Sequence, residues 1–176
     1  MKLLKYEGYN LTFEPEILAL KVFKKLHTRD HSKDKSRFIQ ELAFIYFYSD
    51  PRSDYQYLTD ENERLKAIVE GEGLPDDWKI DKILQDAIDY YSSFKPTSAL
   101  LLEDTRAAVD KLRQLLRNID LTEVDDNGKP IYTLNTITAT IKQVPSLVKD
   151  LDEAEKTIAR EIMQDESIRG SQEKSM

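Results

Sequence analysis

Cysteine is absent from this 176-residue chain, which removes disulfides, thiol nucleophiles and thiolate metal sites together. Glycine is scarce, at five residues, and a third of the chain is charged, a composition that favours helix over sheet. Also missing is a basic surplus: the net charge is −7, whereas a protein that neutralises phosphates carries excess Lys and Arg. The basic pieces at 21–25 and 33–37 alternate with apolar or acidic residues and read as solvated helix faces. No apolar run approaches the roughly 18 residues that span a bilayer. Lys5, Glu7 and Asn10 interrupt any signal-peptide core after Met1. The expectation is a soluble, intracellularly made protein with no cofactor, no membrane partner and no specific nucleic-acid partner.

What the chain does have is apolar residues at helical spacing. Residues 1–13 are short and mixed, and read as an N-terminal arm or edge strand. Pro15 suits a first helical turn, and Ile17, Leu18, Val22, Phe23 and Leu26 then predict a helix from Glu14 to His27. The run from Ser36 to Ser49 is apolar on nearly every side, the mark of a buried helix, and Asp50-Pro51 stops it. Asp60 followed by Glu63 predicts a capped restart, ended by Gly71 and Gly73. A further helix carries Ile80, Ile83, Leu84, Ala87, Ile88 and Tyr91 on one stripe, with Trp78 at its start and Lys95-Pro96 at its close.

Downstream, Leu101, Thr105, Ala108, Leu112, Leu115 and Ile119 step alternately by four and three, a coiled-coil-like seam. Ile137, Ile141, Val144, Val148, Leu151, Ile158 and Ile162 repeat that stepping, flawed at Glu155 and in phase through Pro145. Such seams are more often intramolecular core than oligomer contacts. Between them, Asp126-Asn127-Gly128-Lys129-Pro130 predicts a hairpin turn joining two short strands within residues 121–133. The fold class is therefore mainly α: a helical bundle with a long antiparallel helical pair and a small β-hairpin. One helical domain is expected over 1–163, comprising the arm (1–13), a helical body (14–94) and the pair with its hairpin tip (97–163). A polar C-terminal tail follows at 164–176, too poor in apolar residues to order itself.

Signs of chemistry are few. His27 and His31, four apart beside Asp30 and Asp34, have the spacing of a helical metal pair, but HTRDHSKD reads better as a solvated linker. Asp50, Asp54, Arg52 and Arg64 form either a carboxylate–guanidinium cluster of catalytic type or, on the favoured reading, a turn and cap locked by ion pairs. Gly71-Glu72-Gly73 lacks the Lys-Ser/Thr of a phosphate loop. The nine tyrosines fit core and interface packing better than base stacking, which needs a basic groove.

Phe44-Ile45-Tyr46-Phe47, Asp50-Pro51-Arg52-Ser53-Asp54-Tyr55, Glu63-Arg64, Leu74-Pro75-Asp76-Asp77-Trp78-Lys79 and the later Asp125-Asp126-Asn127-Gly128-Lys129-Pro130-Ile131-Tyr132 form a pattern that resembles small virion proteins of tailed bacteriophages, particularly the crAss-like group. The resemblance covers the central two-thirds of the chain. It implies a non-enzymatic structural protein of the portal vertex or head-to-tail neck, made in the bacterial host cytoplasm and incorporated in the virion. Its partners would be portal, capsid or neck subunits in a symmetric ring or shell. It transfers no catalytic residues. The expected protein-binding residues are Asp126, Asn127, Gly128, Lys129, Pro130 and Tyr132 at the tip, with Ile168 and Arg169 in the tail. Other readings are a cytoplasmic helical scaffolding or regulatory module and an enzyme using Asp50, Asp54 and Arg64. If the tail is dispensable, removing residues 164–176 leaves the body folded by circular dichroism; unfolding of the body would make the tail part of the core.

Overall fold

The computed structural model describes residues 3–8 and 10–172; the side chains it describes exclude Glu7 and those beyond Glu161. The N-terminal residues form a hairpin and not a free arm. Strand β1 (Leu4–Glu7) pairs antiparallel with β2 (Asn10–Phe13), Leu4 opposite Phe13. Leu3 and Leu4 are buried, and Tyr6 stacks on Tyr46 and meets Phe47 edge-on. The Arg52 guanidinium donates to the Leu4 carbonyl at 3.1 Å, fastening the hairpin to the turn after the central helix. Thus the small antiparallel sheet of this mainly helical fold lies here.

The first predicted helix is in two pieces, a 3-10 turn at Pro15–Ala19 and α1 (Lys21–Arg29), separated by an extended Leu20. Ile17 and Phe23 are both fully buried. Six residues apart on one continuous helix they would point about 120° apart; the break lets both enter the same core. Helix α2 (Ser36–Ser49) runs as expected and buries Phe38, Leu42, Phe44, Ile45, Tyr46 and Phe47. Its exposed edge is narrow, with Ile39 and Gln40 among the few exposed positions.

The linker before α2 is a cap assembly. Asp30 accepts the Phe38 N–H at 2.9 Å and both the N–H and hydroxyl of Ser32, while Ser36 donates to the Ser32 hydroxyl at 3.2 Å. These bonds satisfy N–H groups that the first helical turn leaves without partners. They let Lys35, at φ 55°, take a left-handed conformation, with its ammonium bonded to the Asp30 carbonyl.

Helix α3 (Glu61–Gly71) starts at Asp60, whose carboxylate accepts the N–H groups of Asn62 and Glu63, both at 2.9 Å. Gly71 is required by contact: a Cβ there would come within 2.3 Å of the Tyr55 hydroxyl, which donates to Glu72. Helix α4 (Lys82–Ser92) is capped by Asp81 and buries Leu84, Ala87, Ile88 and Tyr91. These elements share one core, to which Phe44, Trp78 and Tyr48 contribute a run of ring contacts.

The chain divides into two compact units, Met1–Pro96 and Thr97–Met176, where length had suggested one domain. The physical reason lies in the buried residues: one cluster draws only on residues 3–91, and a separate small one consists of Ala99, Leu102 and Ile158.

The second unit is the antiparallel pair of α5 (Thr97–Asn118) and α6 (Leu134–Gln172). Helix α6 passes through Pro145 without interruption and continues beyond Met163, so helix extends nine residues into the expected tail. Removing 164–176 therefore takes helical residues with it, and cooperative unfolding is a better measure of the body than the amplitude of the dichroism.

The contact face of α5 is turned by one residue from the predicted seam. Ala99 and Leu102 meet Ile158, with Leu151 and Ala154 alongside. Arg106 bonds Glu155 at 2.8 Å, and Ser98 bonds Glu161 at 2.6 Å. The flaw in the α6 pattern, Glu155, is thus the partner of Arg106. Leu101, Leu115, Ile141 and Val148, expected inside, are exposed. Ile162 lies outside the described side chains.

The cap geometry sets an acid limit on the first unit. Hydrogen bonds from the Ser32 hydroxyl and the Phe38 N–H pull the Asp30 carboxyl down to about 2 from its ordinary 3.8. A carboxyl whose folded value is depressed contributes stability above its unfolded value and loses it as pH falls through the folded one. Stability should therefore drop between about pH 4 and pH 2, and Asp30→Asn should flatten that dependence in denaturant melts; an unchanged profile would remove Asp30 from the cap.

Candidate functional site

A helix as apolar as α2 carries one acid inside, Glu41, whose side chain is 2% exposed. Burying an ionised carboxylate demands partners. Arg29 of α1 supplies a two-pronged bond, Nη2 to Oε1 at 2.7 Å and Nε to Oε2 at 3.2 Å. Arg37, one turn before Glu41 on α2, adds a bond at 2.9 Å. The remaining arm of Arg29 reaches Asp81 Oδ2 at 2.5 Å, and Asp81 caps α4. One guanidinium therefore ties α1, α2 and the start of α4 together.

Beside this cluster opens a cleft of about 420 Å³, lined among others by Arg37, Gln40, Glu41, Trp78, Lys79 and Asp81. Its central charges bond one another, so the arrangement serves as a lock between helices. Trp78 Nε1 is buried without a hydrogen-bond partner. Glu41 is not among the candidate residues that motif and spacing single out. Its signal was present, a single acid in the middle of the most apolar helix with an arginine four residues earlier. The second arginine, twelve residues away across the linker, left no local trace.

The second charged cluster is the turn after α2. Asp50 accepts Arg52 Nε and Nη2, both at 2.7 Å, the Arg52 N–H at 3.0 Å, and the Tyr91 hydroxyl of α4 at 2.5 Å. Burial opposes ionisation of Asp50, but the hydrogen bonds and charge of Arg52, with the Tyr91 hydroxyl, outweigh it and hold the carboxyl below its ordinary range. Tyr91 is shifted upward by its own burial and then by the Asp50 charge, so it remains a donor.

Arg64 is engaged elsewhere. It donates to the Leu58 carbonyl at 2.6 and 2.9 Å and to that of Tyr48 at 3.3 Å, with its guanidinium over the Tyr48 ring. Asp54 lies exposed at the start of the 3-10 turn Asp54–Tyr57. Asp50, Asp54 and Arg64 thus have separate surroundings, and Asp50 with Arg52 forms the ion-paired turn.

His27, half-buried, packs edge-on against Phe38, and Asp30 and Asp34 direct their oxygens at backbone N–H groups. No group of three or more His, Cys, Asp or Glu side chains that could hold a metal occurs among the described residues. Nor is any helix among them long and apolar enough to cross a membrane.

At the far end of the α5–α6 pair, the expected turn forms but the expected strands do not. Gly128 sits at φ 74°, a conformation that glycine enters without strain. The Asp125 carboxylate accepts the N–H groups of Asn127 at 2.9 Å and Lys129 at 2.8 Å, and these bonds, Lys129 first, lower its affinity for a proton. Pairing stops at a single bridge between Val124 and Pro130, bordered by a bond from the Ile131 N–H to the Glu123 carbonyl. The ladder goes no further because the Glu123 N–H turns to the Asp120 carbonyl, 3.4 Å away, and not to that of Ile131, and a ribbon with no covered face has little else to hold it. Asp126, Asn127, Gly128, Lys129 and Pro130 are all exposed on this tight turn, and Tyr132 beside it is half-buried. The side chains of Ile168 and Arg169 lie outside the described residues; their backbone is part of α6.

The apolar side chains near this turn are as exposed as the polar ones. Leu121, Val124 and Ile131 flank it, and Leu134, at 71%, opens α6. Compared with known proteins, the chain matches no protein-family model, no curated protein and no solved structure.

If Asp50 is an architectural lock, Asp50→Ala should destabilise the first unit by about 3 kcal/mol, because it leaves the Arg52 charge unpaired in a largely buried site. Urea melts would measure this, and a loss under about 0.5 kcal/mol would mean that the bond contributes little net stability.

Proposed function

We propose that this chain is a non-enzymatic structural component of a tailed-phage virion that binds neighbouring capsid, portal or neck subunits. The observation that supports this most is the contrast between the two units. In Met1–Pro96 the charged clusters tie helices together and most large apolar residues join one buried core, with Ile39, Tyr57 and Phe94 exposed. In Thr97–Met176 the described side chains bury one small cluster, while Leu101, Leu115, Leu121, Leu134, Ile141 and Val148 are exposed. So many exposed apolar side chains on one pair of helices support a contact with another protein. The sequence resemblance supplies the setting, and the turn at Asp125–Gly128 supplies a preformed projection, which lowers the ordering cost of docking.

The same surface would serve a cytoplasmic scaffolding or regulatory module, so the deciding measurement is where the protein resides. Quantitative mass spectrometry of purified particles should find the chain in fixed, repeated stoichiometry with the portal subunit. Its absence from particles but abundance in the lysate of infected cells would overturn the virion reading and favour the cytoplasmic one.

A further inference from the structure

The exposed apolar residues of the helical pair follow a period. On α5, Leu101, Ala108 and Leu115 are spaced by seven and exposed; on α6, Leu134, Ile141 and Val148 are likewise. A repeat of seven keeps a stripe on one side of a helix, where another helix can cover it. Neither stripe belongs to the face that joins α5 to α6. On α5 each stripe residue comes one before a buried or half-buried residue, Leu102, Val109 and Leu116; on α6, Ile141 and Val148 come one after the half-buried Thr140 and Leu147. One residue is about 100° of helix. Equal steps on two antiparallel helices would reach the same side of the pair; these opposite steps put the two stripes on opposite sides. A two-fold contact covers only one of them. A contact between the α5 stripe of one copy and the α6 stripe of another uses both, one on each side, and passes from copy to copy.

Shape and charge favour that pairing. Run antiparallel, it sets Leu101 against Val148, Ala108 against Ile141 and Leu115 against Leu134, so the smallest residue of one stripe faces the bulky centre of the other. Either stripe laid on itself sets Ala108 on Ala108, a hollow, or Ile141 on Ile141, a bulge. Within a copy, the bonds of Ser98 to Glu161 and Arg106 to Glu155 fix which residues are level, and put Val148 level with Leu112. Opposing Val148 to Leu101 of another copy therefore displaces neighbours along their helices by about eleven residues, ~16 Å. That displacement brings Arg113 and Arg117 of one α5 to the level of Asp104 on the other, on the same flank of the seam. On the opposite flank it brings Lys142 of one α6 to the level of Asp150 and Glu153 on the other. Copies stacked without displacement would set Asp104 beside Asp104 and Lys142 beside Lys142, so the register that matches the stripes also matches the charges.

We infer that copies of this chain associate head-to-tail through their α5–α6 pairs, the stripe of Leu101, Ala108 and Leu115 on each seated on the stripe of Leu134, Ile141 and Val148 on the next. A heterologous contact of this kind makes a ring where the rotation between copies closes and an open series where it does not. The inference concerns contacts between copies of the chain and holds whether or not the chain enters a particle.

In sedimentation velocity, full-length protein should form species larger than a dimer that grow with concentration. Ala108→Glu breaks one seat and Ile141→Glu the other, so each variant alone should associate about a hundredfold more weakly and sediment as a monomer with native helical dichroism. Mixed in equal amounts, the two should form a one-to-one dimer and nothing larger, because each still carries the seat that the other lacks. Leu101→Glu and Leu134→Glu, at exposed ends of the stripes, replace the central pair if either central variant loses its dichroism. Self-association by a single folded variant would show a two-fold contact and overturn the proposal. So would a mixture that stays monomeric, or a wild-type chain that is monomeric at ~100 µM, well above the concentration that a contact of micromolar affinity needs.

Discussion

The buried bond between Arg29 and Glu41 is the constraint on which the first unit turns. Helix α2 contributes much of the core, and a helix so surrounded has little freedom to carry charge. Glu41 is tolerated because one guanidinium meets both of its oxygens and a second lies a turn away. That requirement then fixes other things. Arg29 must end α1 where it does, the linker must return α2 at the angle set by the Asp30 bonds, and α4 must begin at Asp81. A buried ion pair of this kind adds little net stability over an apolar isostere; removing either partner is what costs. Its contribution is to select one arrangement of three helices among several that apolar packing alone would accept.

Asp50 plays a related part at the other end of α2. Its carboxylate holds Arg52, and Arg52 in turn holds the Leu4 carbonyl of the N-terminal hairpin, while Tyr91 brings in α4. Polar contacts thus hold α2 in its first half, at Glu41, and just past its end, at Asp50, with the ring contacts of Phe44, Tyr46 and Phe47 between them.

Much of this was legible in the residues where one period or one cap decides the matter. The limits of α2, the Asp60 cap, the stop after Gly71 and the passage of α6 through Pro145 all follow from local patterns. The failures share a physical cause, dependence on contacts distant in sequence. Residues 4–13 have no pattern strong enough to announce two strands, and become strands because Tyr6 finds Tyr46 and Phe47. The break at Leu20 exists to bring Ile17 and Phe23 into one core. The face that α5 turns to α6 lies one residue from the hydrophobic seam, and on it Arg106 pairs with Glu155, a pairing that hydrophobic spacing does not see. At the tip the Asn-Gly signal was sound for the turn, but the Glu123 N–H bonds the nearby Asp120 carbonyl, and the ladder stops at a single bridge. Of the candidate interaction residues, the turn at 126–130 was therefore placed well, whereas the larger apolar surface along the helices went unremarked because it had been assigned to the interior.

The unequal lengths of α5 and α6 have a mechanical consequence. At 22 and 39 residues they measure about 33 and 58 Å. The longer helix is braced by its neighbour over only part of its course and behaves elsewhere as a strut. Pro145 lacks the N–H that would close a bond to the Ile141 carbonyl, so stiffness along this strut is lowest at one known place, within the stretch where the outward-facing isoleucine and valine sit. Bending under load would concentrate there, and the position of that compliance is written into the chain by a single residue.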